Sequence, residues 1–227
     1  MKKQKTFTAY KFMPLQLKQC KECCKYKFIY HNDELLCRVK SVIENSELHC
    51  SKWDEFNDTL EGRFIFTSYH NVQYINELKS LKNQYKVCCL SKIYTNHAMW
   101  AFYASEFSGV AIEIDFSNDN KHIYCMKYPK KTREIPIDKE IDKYKLSKKL
   151  LLSKHRDWRH EKEIRILTTD QYYKLNGNGH RIAKVIMGNR IDEKHKNLLH
   201  DICDKQGVCI KTIGFNMENS EIFLKDI

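Results

Sequence analysis

The run Val110-Ala111-Ile112-Glu113-Ile114-Asp115-Phe116 is the clearest strand pattern in this chain, and Gly109 before it closes the helical pattern that precedes it. Any fold adopted here has to supply this strand with sheet neighbours. Candidates are the alternating or apolar runs at 25–30, 47–51, 85–91, 121–128, 183–188, 208–213 and 221–224. Helical periodicity covers 34–43 behind an Asn32-Asp33 cap, 72–82, 96–104 capped by Thr95 or Asn96, 139–154, and 192–206. Short strands interleaved irregularly with helices predict an α+β fold with a mixed or split sheet rather than a regular βαβ array.

With 227 residues, 7 Gly and 3 Pro, the chain has no stretch that reads as a linker, and one domain is expected. Residues 1–24 are basic, rich in cysteine and weakly periodic, and read as an extension ahead of a domain at 25–227. Lys and Arg number 40 against 29 Asp and Glu, and the resulting +11 favours a polyanionic partner. The 13 Tyr and 11 Phe offer stacking surfaces for unpaired bases, although most are expected in the core. No apolar segment of roughly 7–15 residues follows the basic opening, which is therefore not read as a signal peptide. No apolar run of about 18 residues occurs, so no membrane partner is expected and the cytoplasm is the expected location. The 10 cysteines would stay reduced there. Cys20, Cys23 and Cys24 make half a zinc site, which Cys37, Cys50 or His31 would have to complete, and buried free thiols are the expected use.

The stretch Trp158-Arg159-His160-Glu161-Lys162-Glu163-Ile164-Arg165-Ile166-Leu167 concentrates chemistry. Read as a strand entry, its period of two sends Glu161, Glu163 and Arg165 to one face and Ile164 and Ile166 to the other. Two carboxylates this close raise the proton affinity of one of them while Arg165 opposes the effect. The set is suited to proton transfer or to steadying a developing cation. The structural alternative is a solvated strand edge with cross-strand ion pairs.

Four stretches share an order and spacing: Tyr26-Lys27-Phe28; Phe56-Asn57-Asp58; Cys89-Leu90-Ser91 with Met99-Trp100-x-x-Tyr103-Ala104 and Gly109; and Trp158-x-x-Glu161-x-Glu163-x-Arg165. Over about 25–190 this set resembles an uncharacterised bacterial family associated with the ADP-ribosyltransferase superfamily. The resemblance implies a split-sheet catalytic domain with NAD as co-substrate. It places Tyr26 and Lys27 on the adenosine side, Ser91 at the nicotinamide ribose, and catalysis on Glu161 and Glu163, with Arg165 beside them as a further cofactor-binding residue. Trp100 and Tyr103, three apart on one helical face, would wall the nicotinamide, or would form a core pair. The chain departs from the pattern in lacking a clear Arg or His at the first position, in reading Cys-Leu-Ser where Ser-Thr-Ser is usual, and in carrying Thr59 where Pro is common.

Among members of that superfamily the chain looks most like the mRNA-modifying toxins of toxin, antitoxin and chaperone defence systems against phage. The resemblance therefore implies a toxin that modifies nucleic acid, with single-stranded RNA as the expected substrate and an antitoxin protein as partner. A protein-modifying transferase and an NAD glycohydrolase belong to the same class. Lys130, Lys131 and Arg133, with the lysines of 139–154, are the expected phosphate-binding residues, or else solvate an exposed helix. Two readings of other classes remain: a metal-dependent nuclease using Glu113, Asp115 and Glu161, and a nucleic-acid-binding module without catalysis.

Overall fold

A computed structural model describes residues 6–15, 31–62, 64–66, 72–117, 121–131, 133–135 and 142–226. In chain order its elements are β1 (Thr6–Met13), α1 (His31–Asn45), β2 (Glu47–His49), β3 (Phe64–Phe66), α2 (Val72–Gln84), β4 (Lys86–Ser91), α3 (His97–Tyr103), β5 (Val110–Ser117), β6 (Ile123–Cys125), β7 (Arg133–Ile135), α4 (Lys143–Leu151), β8 (Glu163–Thr168), β9 (Tyr172–Lys174), β10 (Arg181–Met187), α5 (Glu193–Gln206), β11 (Cys209–Phe215) and β12 (Ile222–Lys225). The fold is α+β, as the sequence pattern indicates. The described residues of 1–48, 90–120 and 174–227 form one compact unit, and those of 49–89 and 121–173 a second.

The first unit is organised around β5, whose Val110, Ala111, Ile112, Ile114 and Phe116 are all fully buried. On one side β1 pairs with it antiparallel along its whole length, from Thr6 opposite Ser117 to Met13 opposite Val110. On the other side lies β10, antiparallel, with a register shift between Ile182 and Lys184. β11 then joins β10 in parallel across the α5 connection, and β12 pairs antiparallel with β11, so the sheet is mixed. Phe12, Met99, Trp100, Ala104, Ala111, Ile186, Ile213 and Ile222 form its core cluster.

The expectation of an N-terminal extension over 1–24 is corrected by β1. Ala9 and Phe12 are its buried residues, three apart, so the strand shows no clean alternation, and its neighbouring lysines mimic a solvated arm. Its place is fixed by pairing with β5, a long-range contact that local pattern does not report. The strand candidate 25–30 and Cys20, Cys23 and Cys24 lie outside the described residues.

Asn96 caps α3 as expected, its side chain accepting the Ala98 N–H, but the helix stops at Ala104 rather than Gly109. Ser105, Glu106 and Phe107 follow with positive φ. Gly109 is needed for a different reason: a Cβ there would stand 2.4 Å from the Met13 carbonyl oxygen. α4 is shorter than the 139–154 pattern, since the Asp142 carboxylate accepts the Tyr144 and Lys145 N–H groups and starts the helix there.

His180 is buried in the first unit, its ring 4.8 Å from Phe116 and its Nδ1 accepting the Ser117 N–H. That bond needs a bare Nδ1, and burial holds the imidazole below its ordinary value of 6.5. The unfolded chain therefore binds a proton more readily, and the stabilisation from neutral His180 is complete above about pH 6.5 and lost as pH falls through the folded value. Melting temperature should fall between pH 7 and 5. His180→Gln, which keeps an acceptor for Ser117 without titrating, should flatten that slope, and an unchanged slope would remove His180 as its cause.

In the second unit α2 packs on α4 through Leu78, Leu146 and Leu150. β6 pairs antiparallel with β8, placing Tyr124 opposite Arg165, while β3 and β7 form a short parallel pair. β4 begins in this unit with Val87 buried and ends in the first, where Ser91 faces Tyr10. Every residue of β8 is buried, so the solvated strand edge given as the structural alternative is not what forms. Among the described residues no helix is long and apolar enough to cross a membrane.

Candidate functional site

Five charged side chains of the second unit meet at β8, each at most 7% exposed: Glu61, Lys154, Glu161, Glu163 and Arg165. Strand geometry brings two of them together, since residues two apart on β8 share a face. Arg165 Nε donates to Glu163 Oε1 at 2.6 Å and its Nη2 to Oε2 at 3.3 Å. The guanidinium also forks onto Glu61, Nη1 to Oε1 at 2.7 Å and Nη2 to Oε2 at 3.0 Å. Nη1 further donates to the Leu151 carbonyl at 2.7 Å. That carbonyl is one of the unpaired acceptors at the C-terminal end of α4, where the helix dipole favours a cation. All five guanidinium N–H groups are thereby used, and the Phe56 ring lies 5.4 Å from Cζ.

Glu161 is not on the strand. It ends a 3-10 turn (Arg156–Glu161), and Lys162 follows in the left-handed conformation at φ 45°. This kink turns the Glu161 carboxylate inward, where Lys154 Nζ donates to its Oε2 at 2.7 Å and lies 3.8 Å from Glu163 Oε2. Lys154 also sits over the Trp158 ring at 4.4 Å. The Glu163 N–H donates to Tyr128 Oη at 2.8 Å, and burial keeps that phenol protonated well above its ordinary range.

Three carboxylates thus face two cations, and their environments separate them. Burial alone would raise the Glu163 pKa, but Arg165 beside it, with Lys154 and the Cys89 thiol, outweighs burial and holds it below the usual carboxylate range. At Glu61 burial prevails over the fork from Arg165, and its pKa is raised. Arg165 is held in its charged form far above its ordinary value: burial opposes the charge, and Glu163, Cys89 and Glu61 more than restore it. One carboxylate kept ionised beside one that takes a proton more readily is a division of labour suited to acid-base chemistry.

Sequence spacing located Glu161, Glu163 and Arg165 but missed Glu61 and Lys154. Glu61 lies three residues past Asp58, and only an acid closely following Phe56-Asn57-Asp58 hinted at it. Lys154 is one of the 139–154 lysines expected to bind phosphate or to solvate a helix; it is 7% exposed and belongs to the cluster. Lys143 pairs with Glu77, and Lys148 Nζ lies 5.7 Å from the Tyr85 ring. Lys130 and Lys131 are exposed, whereas Tyr26, Lys27 and the Arg133 side chain lie outside the described residues.

Ser91, Trp100 and Tyr103 belong to the first unit. Ser91 is fully buried and its Oγ accepts the Ile93 N–H at 3.3 Å, an ordinary strand-end arrangement. Trp100 takes the second of its two expected places, the core. It is fully buried, its Nε1 donates to the Tyr94 carbonyl at 2.6 Å, and its ring packs against Phe12 and Phe107, so it is a core residue rather than the wall of an open pocket. Tyr103 packs against the same cluster. Glu113 and Asp115, the acids of the nuclease reading, pair with Lys184 and Arg181, each at 2.8 Å. Among the described residues no group of three His, Cys, Asp or Glu side chains is placed to hold a metal ion.

Residues 99–166 match a family model described as a protein of unknown function (DUF2971). The matched segment runs from α3 into β8 and contains Lys154, Glu161, Glu163 and Arg165. No curated protein and no solved structure matches the chain.

Proposed function

We propose that this chain is an NAD-dependent ADP-ribosyltransferase that modifies nucleic acid, with single-stranded RNA as its target, acting as a bacterial toxin or anti-phage effector restrained by an antitoxin. The observation that carries the reading is Glu163, a carboxylate held ionised by Arg165 and Lys154 in a site screened from water. Cleavage of the bond between nicotinamide and ribose sends its electron pair to the nicotinamide and leaves an oxocarbenium-like ribose. A fixed negative charge stabilises that species, as in glycoside cleavage. An RNA oxygen or nitrogen then bonds to C1′, and its proton passes to Glu61, the carboxylate of raised pKa. Glu161, which accepts from Lys154 as Glu61 accepts from Arg165, is the second candidate acceptor.

A second reading rests on an observation of its own. Every donor of Arg165 is satisfied inside the protein and its side chain is 1% exposed, which is also how a structural ion cluster is built. Incubating the protein with NAD labelled in the adenosine half, together with RNA, single-stranded DNA or lysate proteins, separates the two. Label entering RNA supports the transferase reading, and label in protein changes the substrate class. No label in any pool leaves the structural reading standing.

The exposed pair Lys130 and Lys131 supplies the phosphate contacts in this reading. Each phosphate neutralised on a single strand contributes about −0.7 to the slope of log affinity against log salt, so Lys130→Glu with Lys131→Glu should flatten the slope by about 1.4. An unaltered slope in filter binding across a salt series would move the RNA path elsewhere.

A further inference from the structure

The segment 56–61 touches Arg165 at both ends, through the Phe56 ring and the Glu61 carboxylate, and Asp58 stands between them. Asp58 is 9% exposed. Its Oδ1 accepts the Leu60 N–H at 2.9 Å and its carbonyl accepts the Glu61 N–H at 3.0 Å. The second bond closes a tight turn, which keeps the Cα atoms of Asp58 and Glu61 within about 7 Å. Asp58 Oδ2 is buried and has no hydrogen-bond partner among the described residues.

A buried acceptor left unpaired costs about 1–3 kcal/mol, and more when it is charged. Asparagine would hold the same turn through the same Oδ1 contact without that charge, so the turn alone does not account for aspartate. The orphan oxygen is the kind of local inconsistency that marks ligand sites. In the buried cluster that this turn joins, the formal charges are unbalanced: Asp58, Glu61, Glu161 and Glu163 are four acids against Lys82, which donates to the Gly62 carbonyl, Lys154 and Arg165. A pyrophosphate would add to that excess, whereas the cationic nicotinamide ring and the ribose from which it departs would relieve it.

We infer that Asp58 Oδ2 accepts an N–H or O–H donor from the nicotinamide riboside half of NAD, making Asp58 a substrate-positioning residue. The inference rests on the NAD reading above. The donor is the carboxamide or a ribose hydroxyl, and nicotinic acid adenine dinucleotide, which carries a carboxylate in place of the carboxamide, distinguishes the two.

The test is nicotinamide or nicotinate release by wild type, Asp58→Asn and Asp58→Ser, each checked by melting temperature. Both variants retain an oxygen for the Leu60 N–H. The expected result is a KM for NAD raised at least ten-fold with kcat within a few-fold and a melting temperature unchanged or higher, since an orphan charge has been removed. Wild type should discriminate against the nicotinate analogue. If Asp58→Asn narrows that discrimination the donor is the carboxamide, and if it does not the donor is a ribose hydroxyl. An active wild type alongside a folded Asp58→Asn with unchanged KM overturns the inference and leaves the NAD reading intact. A folded wild type that releases no nicotinamide overturns the NAD reading, and this inference with it.

Discussion

Arg165→Met should lower stability by about 3–5 kcal/mol, a shift of about 6–20 °C in melting temperature for a chain of this size. Methionine matches much of the arginine volume, so the loss is not mainly a cavity effect. What it leaves behind is two carboxylates, Glu61 and Glu163, each buried to within 4% of full enclosure and each deprived of a fork of hydrogen bonds. The Leu151 carbonyl at the end of α4 also loses its donor. Changing Glu61, Glu163 and Arg165 together to apolar residues should recover most of that loss, because a whole buried ion cluster is worth far less than the penalty for breaking it. Calorimetry on the single and triple variants checks both statements. A single variant that melts within about 2 °C of wild type would mean that water already reaches the carboxylates.

Glu163→Gln should reduce nicotinamide release about 10²- to 10³-fold, the usual consequence of removing one preorganised charge from a developing transition state. Glutamine keeps the size and one acceptor for Arg165 Nε. It presents an amide N–H₂ toward donors on Arg165 and Lys154, so some loss of stability accompanies the change. The rate is therefore compared at a temperature where circular dichroism shows both proteins folded. A folded Glu163→Gln protein with wild-type turnover would leave Glu163 a structural partner of Arg165 and nothing more.

Helices and most strands were legible because their periodicity is local: the Asn96 and Asp192 caps and the buried run of β5 are each set by neighbours a few residues away. β1 was not, since its thinly apolar sequence acquires its role only in register with β5, more than 100 residues along the chain. The candidate site was legible in the same partial way. Spacing along one strand identified Glu163 and Arg165, and a period of two correctly put them on one face. It misplaced Glu161, because the left-handed Lys162 ends a 3-10 turn where an unbroken strand was assumed. It could not supply Glu61, which reaches Arg165 across a sequence separation of 104. Trp100 and Tyr103 show the converse ambiguity: an aromatic pair at helical spacing looks the same in sequence whether it lines a pocket or fills a core, and at Trp100 the core prevails.

The central claim is that Glu163 and its partners break the nicotinamide–ribose bond. Its most direct test is the time course of nicotinamide release from NAD by the purified wild-type chain, with and without RNA. Release that RNA accelerates, and that Glu163→Gln reduces by at least two orders of magnitude, is the expected result. A folded wild-type protein that leaves NAD intact in both conditions would contradict it, and Glu61, Lys154, Glu161, Glu163 and Arg165 would then be a structural ion cluster.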